Sequence, residues 1–155
     1  MVSDKMKKST MTMIAFLLLG SSQVGFADEK QKLLKINIAN SAFGATSIYF
    51  SSSAFGAESV YISDNSFGSI VVGITSSEQD ADVVVEISPT SFGADAYYFS
   101  SSAFGAKSIY FSNSSFGSKS IHLAKNGLVD VTVYVKGEGV TIKQLIAILM
   151  DRGVI

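Results

Sequence analysis

Residues Phe43–Ala54 read FGATSIYFSSSA: a Gly-containing turn, then alternating β-branched and aromatic residues, then serine again. That composition marks a short strand held between turns. The unit recurs. Phe-Gly followed by Ala or Ser stands at Phe43, Phe55 and Phe67, and again at Phe92, Phe104 and Phe116, with a 12-residue period inside each run of three. So short a tandem period constrains architecture before any residue can be read for chemistry.

Counted from each Phe, the fifth and seventh residues are apolar in every copy: Ile48/Phe50, Val60/Ile62, Val72/Ile74, Tyr97/Phe99, Ile109/Phe111 and Ile121/Leu123. Side chains alternate across a strand, so each pair lines one face and the residue between them looks the other way. The same frame picks out three divergent units, at Ile36/Ile38, at Val85/Ile87 after one inserted residue within Ser76–Asp80, and at Val133/Val135. INIANSAFGA (Ile36–Ala45) matches VEISPTSFGA (Val85–Ala94), and both triplets end in SFGS. The array is a four-unit block, duplicated once, with a ninth strand to close it.

An all-β fold of tandem 12-residue repeats follows, with nine short strands. Parallel stacking into a β-solenoid is favoured, because one sequence solution then serves every coil. The alternative is an antiparallel meander or barrel. Gly after each Phe suits a corner with positive φ, and the Phe itself reads as core or corner packing. At the C-terminus, Thr141-Ile142-Lys143-Gln144 has the form of a capping box. Ile142, Leu145, Ile146, Leu149 and Met150 follow at helical spacing, and Gly153 stands at a stop position. A helix within residues 141–155 is expected to cap an exposed rung or sheet edge, or to dock a partner.

Residues 1–27 have the layout of a Sec-type leader: Lys5, Lys7 and Lys8, then the apolar run MIAFLLL (Met13–Leu19), then Gly25-Phe26-Ala27 as a small-x-small cleavage site. Met6 also serves as a start. The apolar run is short of the ~20 residues a spanning helix needs. The repeat domain then covers residues 28–140, with no further transmembrane segment, and the protein is expected in the periplasm or at the cell surface. The whole chain carries 12 Lys+Arg against 13 Asp+Glu. Three lysines and Asp4 belong to the leader, so the remainder is mildly acidic and has no basic patch, which argues against nucleic acid. There is no cysteine, hence neither disulfides nor thiolate metal ligands.

The outward sixth residue of each unit gives a column containing Tyr49, Tyr61, Tyr98, Tyr110, His122 and Tyr134, flanked by serines. Tyr and Ser standing in register would form a flat aromatic surface for a glycan or cell-envelope polymer; the plainer role is cross-strand packing. His122 is the only histidine, and no Gly-x-Ser-x-Gly elbow accompanies the many serines, so no catalytic residue is assigned. Glu78, Asp80 and Asp82 cluster at the insertion but match no calcium loop, and read as a solvated loop. No metal or cofactor is assigned.

The segments ADVVVEI (Ala81–Ile87), ADAYYF (Ala94–Phe99) and VDVTVYV (Val129–Val135) resemble the units of a group of bacterial short β-repeat proteins of unassigned activity. The overall plan is similar to curlin-type subunits, and the period to insect antifreeze solenoids, though the Gln/Asn ladders of the first and the disulfides of the second are missing. These resemblances imply a β-repeat fold and no activity. The expected function is therefore an exported, non-enzymatic protein, structural or surface-binding. The alternative is a subunit that self-associates through β-prone segments such as Ser108–Phe111. N-terminal sequencing of the exported chain should read Asp28-Glu29-Lys30; an intact leader would overturn the cleavage assignment.

Overall fold

A strand of five to seven residues cannot bury a core alone, and the unit that follows each strand leaves little chain for returning to pair with it. The computed structural model describes residues 30–125 and 127–155; the expected leader lies outside them. The strands are β1 (Lys32–Ile38), β2 (Thr46–Ser51), β3 (Glu58–Ser63), β4 (Ile70–Thr75), β5 (Val83–Ile87), β6 (Asp95–Ser100), β7 (Lys107–Ser112), β8 (Lys119–Ala124) and β9 (Val131–Lys136), followed by the helix α1 (Ile142–Asp151). The nine strands fall on the nine units that the period marks.

The ring order is β1-β5-β9-β4-β8-β3-β7-β2-β6, and a β6–β1 ladder closes it. Every ladder is parallel. The antiparallel meander is therefore not the arrangement found. Nor do consecutive units pair, as stacking at the 12-residue period would require. Each connection instead steps over one strand, so the next unit lands two places along the ring. The duplicated block fills the gaps that the first block leaves. On one side of each strand Thr46 lies opposite Tyr97, Glu58 opposite Ile109 and Ile70 opposite Ile121. On the other side Ile36 lies opposite Asp95, Ile48 opposite Lys107 and Val60 opposite Lys119. The same offsets recur, so the units occupy equivalent places.

Alternation puts the fifth residue of each unit at the centre. Ile36, Ile48, Val60, Val72, Val85, Tyr97, Ile109, Ile121 and Val133 are all 1% exposed or less. The seventh residues are partly buried around them, except Ile74, which is exposed, with the Phe50 ring 5.5 Å from Phe99 and 5.6 Å from Phe111.

α1 completes this core. Leu145, Ile146, Ala147, Ile148, Leu149 and Met150 are all buried and join the same cluster as the strand residues. Six consecutive residues cover every side of a helix, so α1 is surrounded rather than half-covered. Its first turn lies near the end of β7, with Lys143 Nζ 5.0 Å from the centre of the Phe111 ring. Its last residue reaches the start of β6 and β7, where the Tyr97 hydroxyl donates to Asp151 at 2.7 Å and Lys107 pairs with Asp151 at 3.6 Å. The helix thus threads the ring against the strand direction. The expected edge cap is corrected: a closed ring has no edge to cover, whereas an interior ringed by short side chains needs filling. Every strand of the ring and every member of its core lies between Lys32 and Ile155, so this stretch closes and fills its own fold.

Both helix ends are locally determined. The Gln144 N–H is capped by Thr141 Oγ1, and the Gln144 side chain accepts from the Thr141 N–H, the expected capping box. At the other end Gly153 N–H bonds Met150 O and Val154 N–H bonds Leu149 O, with Gly153 at φ 62°. That pattern is a Schellman motif, which needs a residue at ease in the left-handed region.

Gly73 shows how the connections shape the outer face. It holds the position that Tyr holds in four of the six Phe-Gly units, under the β8–β9 connection, where a Cβ would come within 2.9 Å of Val129 Cγ1. Restoring the repeat with Gly73→Tyr should therefore destabilise the fold by about 1–3 kcal/mol, read by urea unfolding. Ile148→Ala, which opens a cavity inside the helix-filled core, should cost about 2–5 kcal/mol in the same assay. A loss below half a kcal/mol for Ile148→Ala would mean that the helix is not enclosed.

Candidate functional site

The connections, not the strand faces, carry the most unusual surface. In each Phe-Gly turn the residue after Gly donates its N–H to the carbonyl three residues back, as Ala45 does to Ala42 and Ser118 to Ser115, at 3.1–3.2 Å. The six glycines sit at φ 66–71°, the left-handed value that a type II turn demands at its third residue. Phe occupies the second residue, on the outside of the ring. Phe43, Phe55, Phe67, Phe92, Phe104 and Phe116 are 98%, 97%, 96%, 91%, 96% and 95% exposed. The expected core or corner packing of these side chains is corrected. The interior is already filled by the fifth residues of the units, most of the seventh and α1, and the turn passes over the outside of a strand.

Their placement follows from the ring order. The turn bearing Phe67 crosses β8, and those bearing Phe116, Phe55, Phe104, Phe43 and Phe92 cross β3, β7, β2, β6 and β1. These are six consecutive strands, and the Phe residues of the two halves alternate along them. The result is one arc of separate aromatic tips. Leu128, 98% exposed, lies on the neighbouring connection over β4 and extends it.

Part of the backbone of these connections is paired internally. Ser51, Ser63, Ser88, Ser100 and Ser112 each donate through Oγ to the carbonyl two residues on, and each accepts that residue's N–H. The amides of Phe67, Phe104 and Phe116 donate to Asn65 Oδ1, Ser102 Oγ and Ser114 Oγ. The connections contain one charged residue among them, Asp64. The remaining third of the ring differs. There Lys136 pairs with Glu78, and at its border with β1 Glu86 pairs with Lys35, at 3.8–3.9 Å. The Asp82 carboxylate accepts the Thr132 N–H, and Asp130 accepts that of Val71. These acids hold connections in place, and among the described residues no cluster suited to a metal ion occurs.

Tyr49, Tyr61, Tyr98, Tyr110, His122 and Tyr134 do face outward, each half-buried. They do not stand beside one another. Tyr49 lies opposite Ser100 and Ser108, Tyr61 opposite Ser112 and Ser120, and Tyr110 opposite Ser51 and Ser59. The register offsets place Ser, or for Tyr134 Thr75 and Val84, at the matching level of the neighbours, so no continuous aromatic ladder forms. His122 Nδ1 lies 2.9 Å from the carbonyl of Ser63, the last residue of β3, where the connection over β8 begins, and Asn37 donates to Ser88 O on the connection over β1. At these two positions the outward column ties down the connections that hold the Phe tips.

At the mouth around the end of α1, the inward third residues of several units are charged. Lys107 pairs with Glu58 as well as Asp151, Lys119 with Glu58, and Asp95 with Arg152 at 3.2 Å. Burial pushes the Tyr97 hydroxyl well above its ordinary value, reinforced by its bond to Asp151. The raised value means that folding favours neutral Tyr97. Its contribution is full below the ordinary pKa of about 10 and is lost as pH rises beyond it.

No family model matches the chain, and no curated protein or solved structure matches it either.

Two outcomes follow. Tyr97→Phe should flatten the alkaline loss of stability above pH about 10; an unchanged pH profile would detach Tyr97 from it. Phe55→Ser should leave unfolding stability within about 0.5 kcal/mol of the parent, since its ring touches nothing; a larger loss would place it in the core.

Proposed function

We propose that the protein is an exported, non-enzymatic docking protein that attaches to a surface through its arc of phenylalanines. The carrying observation is that six Phe side chains, each at least 91% exposed, stand on identical turns over adjacent strands. Isolated exposed apolar residues are ordinary on a folded protein, but an ordered series of the same aromatic residue is a mark of an interaction site. Twofold repetition of the turn and its interleaving into one arc provide multivalency, so weak individual contacts add to firm attachment. The array is best described as a β-solenoid wound nearly twice round and closed on itself, a rigid frame for such tips.

The closed ring favours docking over templating through a strand edge, because every described strand is paired on both sides. The half-buried Tyr residues act as supports in this reading rather than as a glycan platform. The test is fractionation of cells producing the parent chain or a variant with all six Phe replaced by Ser. The parent should remain with the envelope fraction and the variant should appear in the soluble one. Equal distribution of two equally folded proteins would sink the proposal.

A further inference from the structure

The occupant of the arc can be narrowed by its chemistry. The tips do not form a pocket or a continuous patch: at 91–98% exposure no Phe ring rests on another. A folded partner would need six phased cavities to receive them. A fluid apolar medium needs none. The connections are also adapted to a place poor in water. In five of the six connections the serine at the entry pairs with the backbone two residues on, three of the tip amides are capped by side chains, and Asp64 is their only charge. An unpaired peptide group or a charge would oppose entry into lipid.

Polarity is segregated round the ring. Strands β8, β3, β7, β2, β6 and β1 carry the Phe turns over outward faces of Ser, Ala, Tyr, Asn and His, with Leu33 and Lys35 at the end of the arc; their charged Glu58, Asp95, Lys107 and Lys119 belong to the inward set and pair at the mouth. The opposite third carries Glu78, Asp80, Asp82, Glu86, Lys125, Asp130 and Lys136. This is the amphipathic arrangement of an interfacial helix transferred to a barrel. From it we infer that the protein lies side-on at the surface of a lipid bilayer, with the central Phe tips in the headgroup region and the charged third in water. The inference rests on the docking function proposed above and names its partner. Since the arc bears no basic cluster, the lipid need not be anionic.

The experiment is co-sedimentation of Asp28–Ile155 with phosphatidylcholine vesicles, with and without phosphatidylglycerol, at low and high salt. Binding should be the same across lipid and salt conditions. The variant with all six Phe→Ser should stay in the supernatant with an unchanged circular dichroism spectrum. Side-on contact further predicts a graded pattern. Phe55→Ser and Phe104→Ser, at the centre of the arc, should each weaken partition about three- to tenfold, while Phe67→Ser and Phe92→Ser, at its ends, should weaken it less. Binding that survives in the sixfold variant, or that requires phosphatidylglycerol and disappears in salt, overturns the inference. If the parent chain is an oligomer that the sixfold variant converts to a monomer, and vesicles bind neither, the occupant is a second copy; docking stands and the lipid surface does not. If the variant changes neither vesicle binding nor self-association, both proposals fall.

Discussion

The length of the connections is the constraint from which the rest follows. Some six or seven residues separate one strand from the next. That is too few to carry the chain back along the strand for direct pairing of consecutive parallel neighbours, which ordinarily takes a crossover of a dozen residues or more. It is enough to step over one strand. Each unit therefore leaves a vacant place beside it, and only a second set of units can fill it. Ring closure, parallel direction and the interleaving of the two halves all descend from this spacing. Barrel closure in turn removes the exposed edges that a row of β-prone segments would otherwise present.

Closure creates its own demand. Nine strands enclose more space than their inward side chains fill, and the helix supplies the missing volume. Its six consecutive buried residues contact a layer made of one residue from every unit. The charged residues at the start of β6 and β7 are then explained by position: Asp95 and Lys107 meet Arg152 and Asp151 at the end of α1, and Glu58 of β3 joins Lys107 to Lys119 of β8. Filling the inside also decides the outside. With the core complete, the Phe of each turn has nowhere to pack and remains in solvent, on connections held in part by their own hydrogen bonds.

Much of this was legible. The strands, their inward fifth and seventh residues, the positive-φ glycines, the capping box and the stop at Gly153 are local features, and periodicity or turn chemistry names them. The helix held a further clue. Leu145–Met150 reads LIAILM, apolar without interruption, and a helix apolar on every side belongs inside a core rather than on an edge. The connections held another: one charge across all six was a sign that their tips are not ordinary surface. What misled was the assumption that a residue repeated beside a strand is repeated for stacking. Tyr49 and Tyr61 are equivalent in the repeat, yet neither is the other's neighbour in the ring.

Local order along the chain fixes the number and place of the strands, which face of each points inward, and how the helix begins and ends. These depend on alternation, on glycine's access to positive φ and on side-chain caps, all effects that reach a few residues along the chain. Which strands meet, where the helix goes and which aromatic residues are left uncovered emerge from the assembled ring. Parallel pairing between residues some fifty positions apart is set by loop reach and ring closure. Those are properties of the whole array, and the Phe tips acquire their meaning from it.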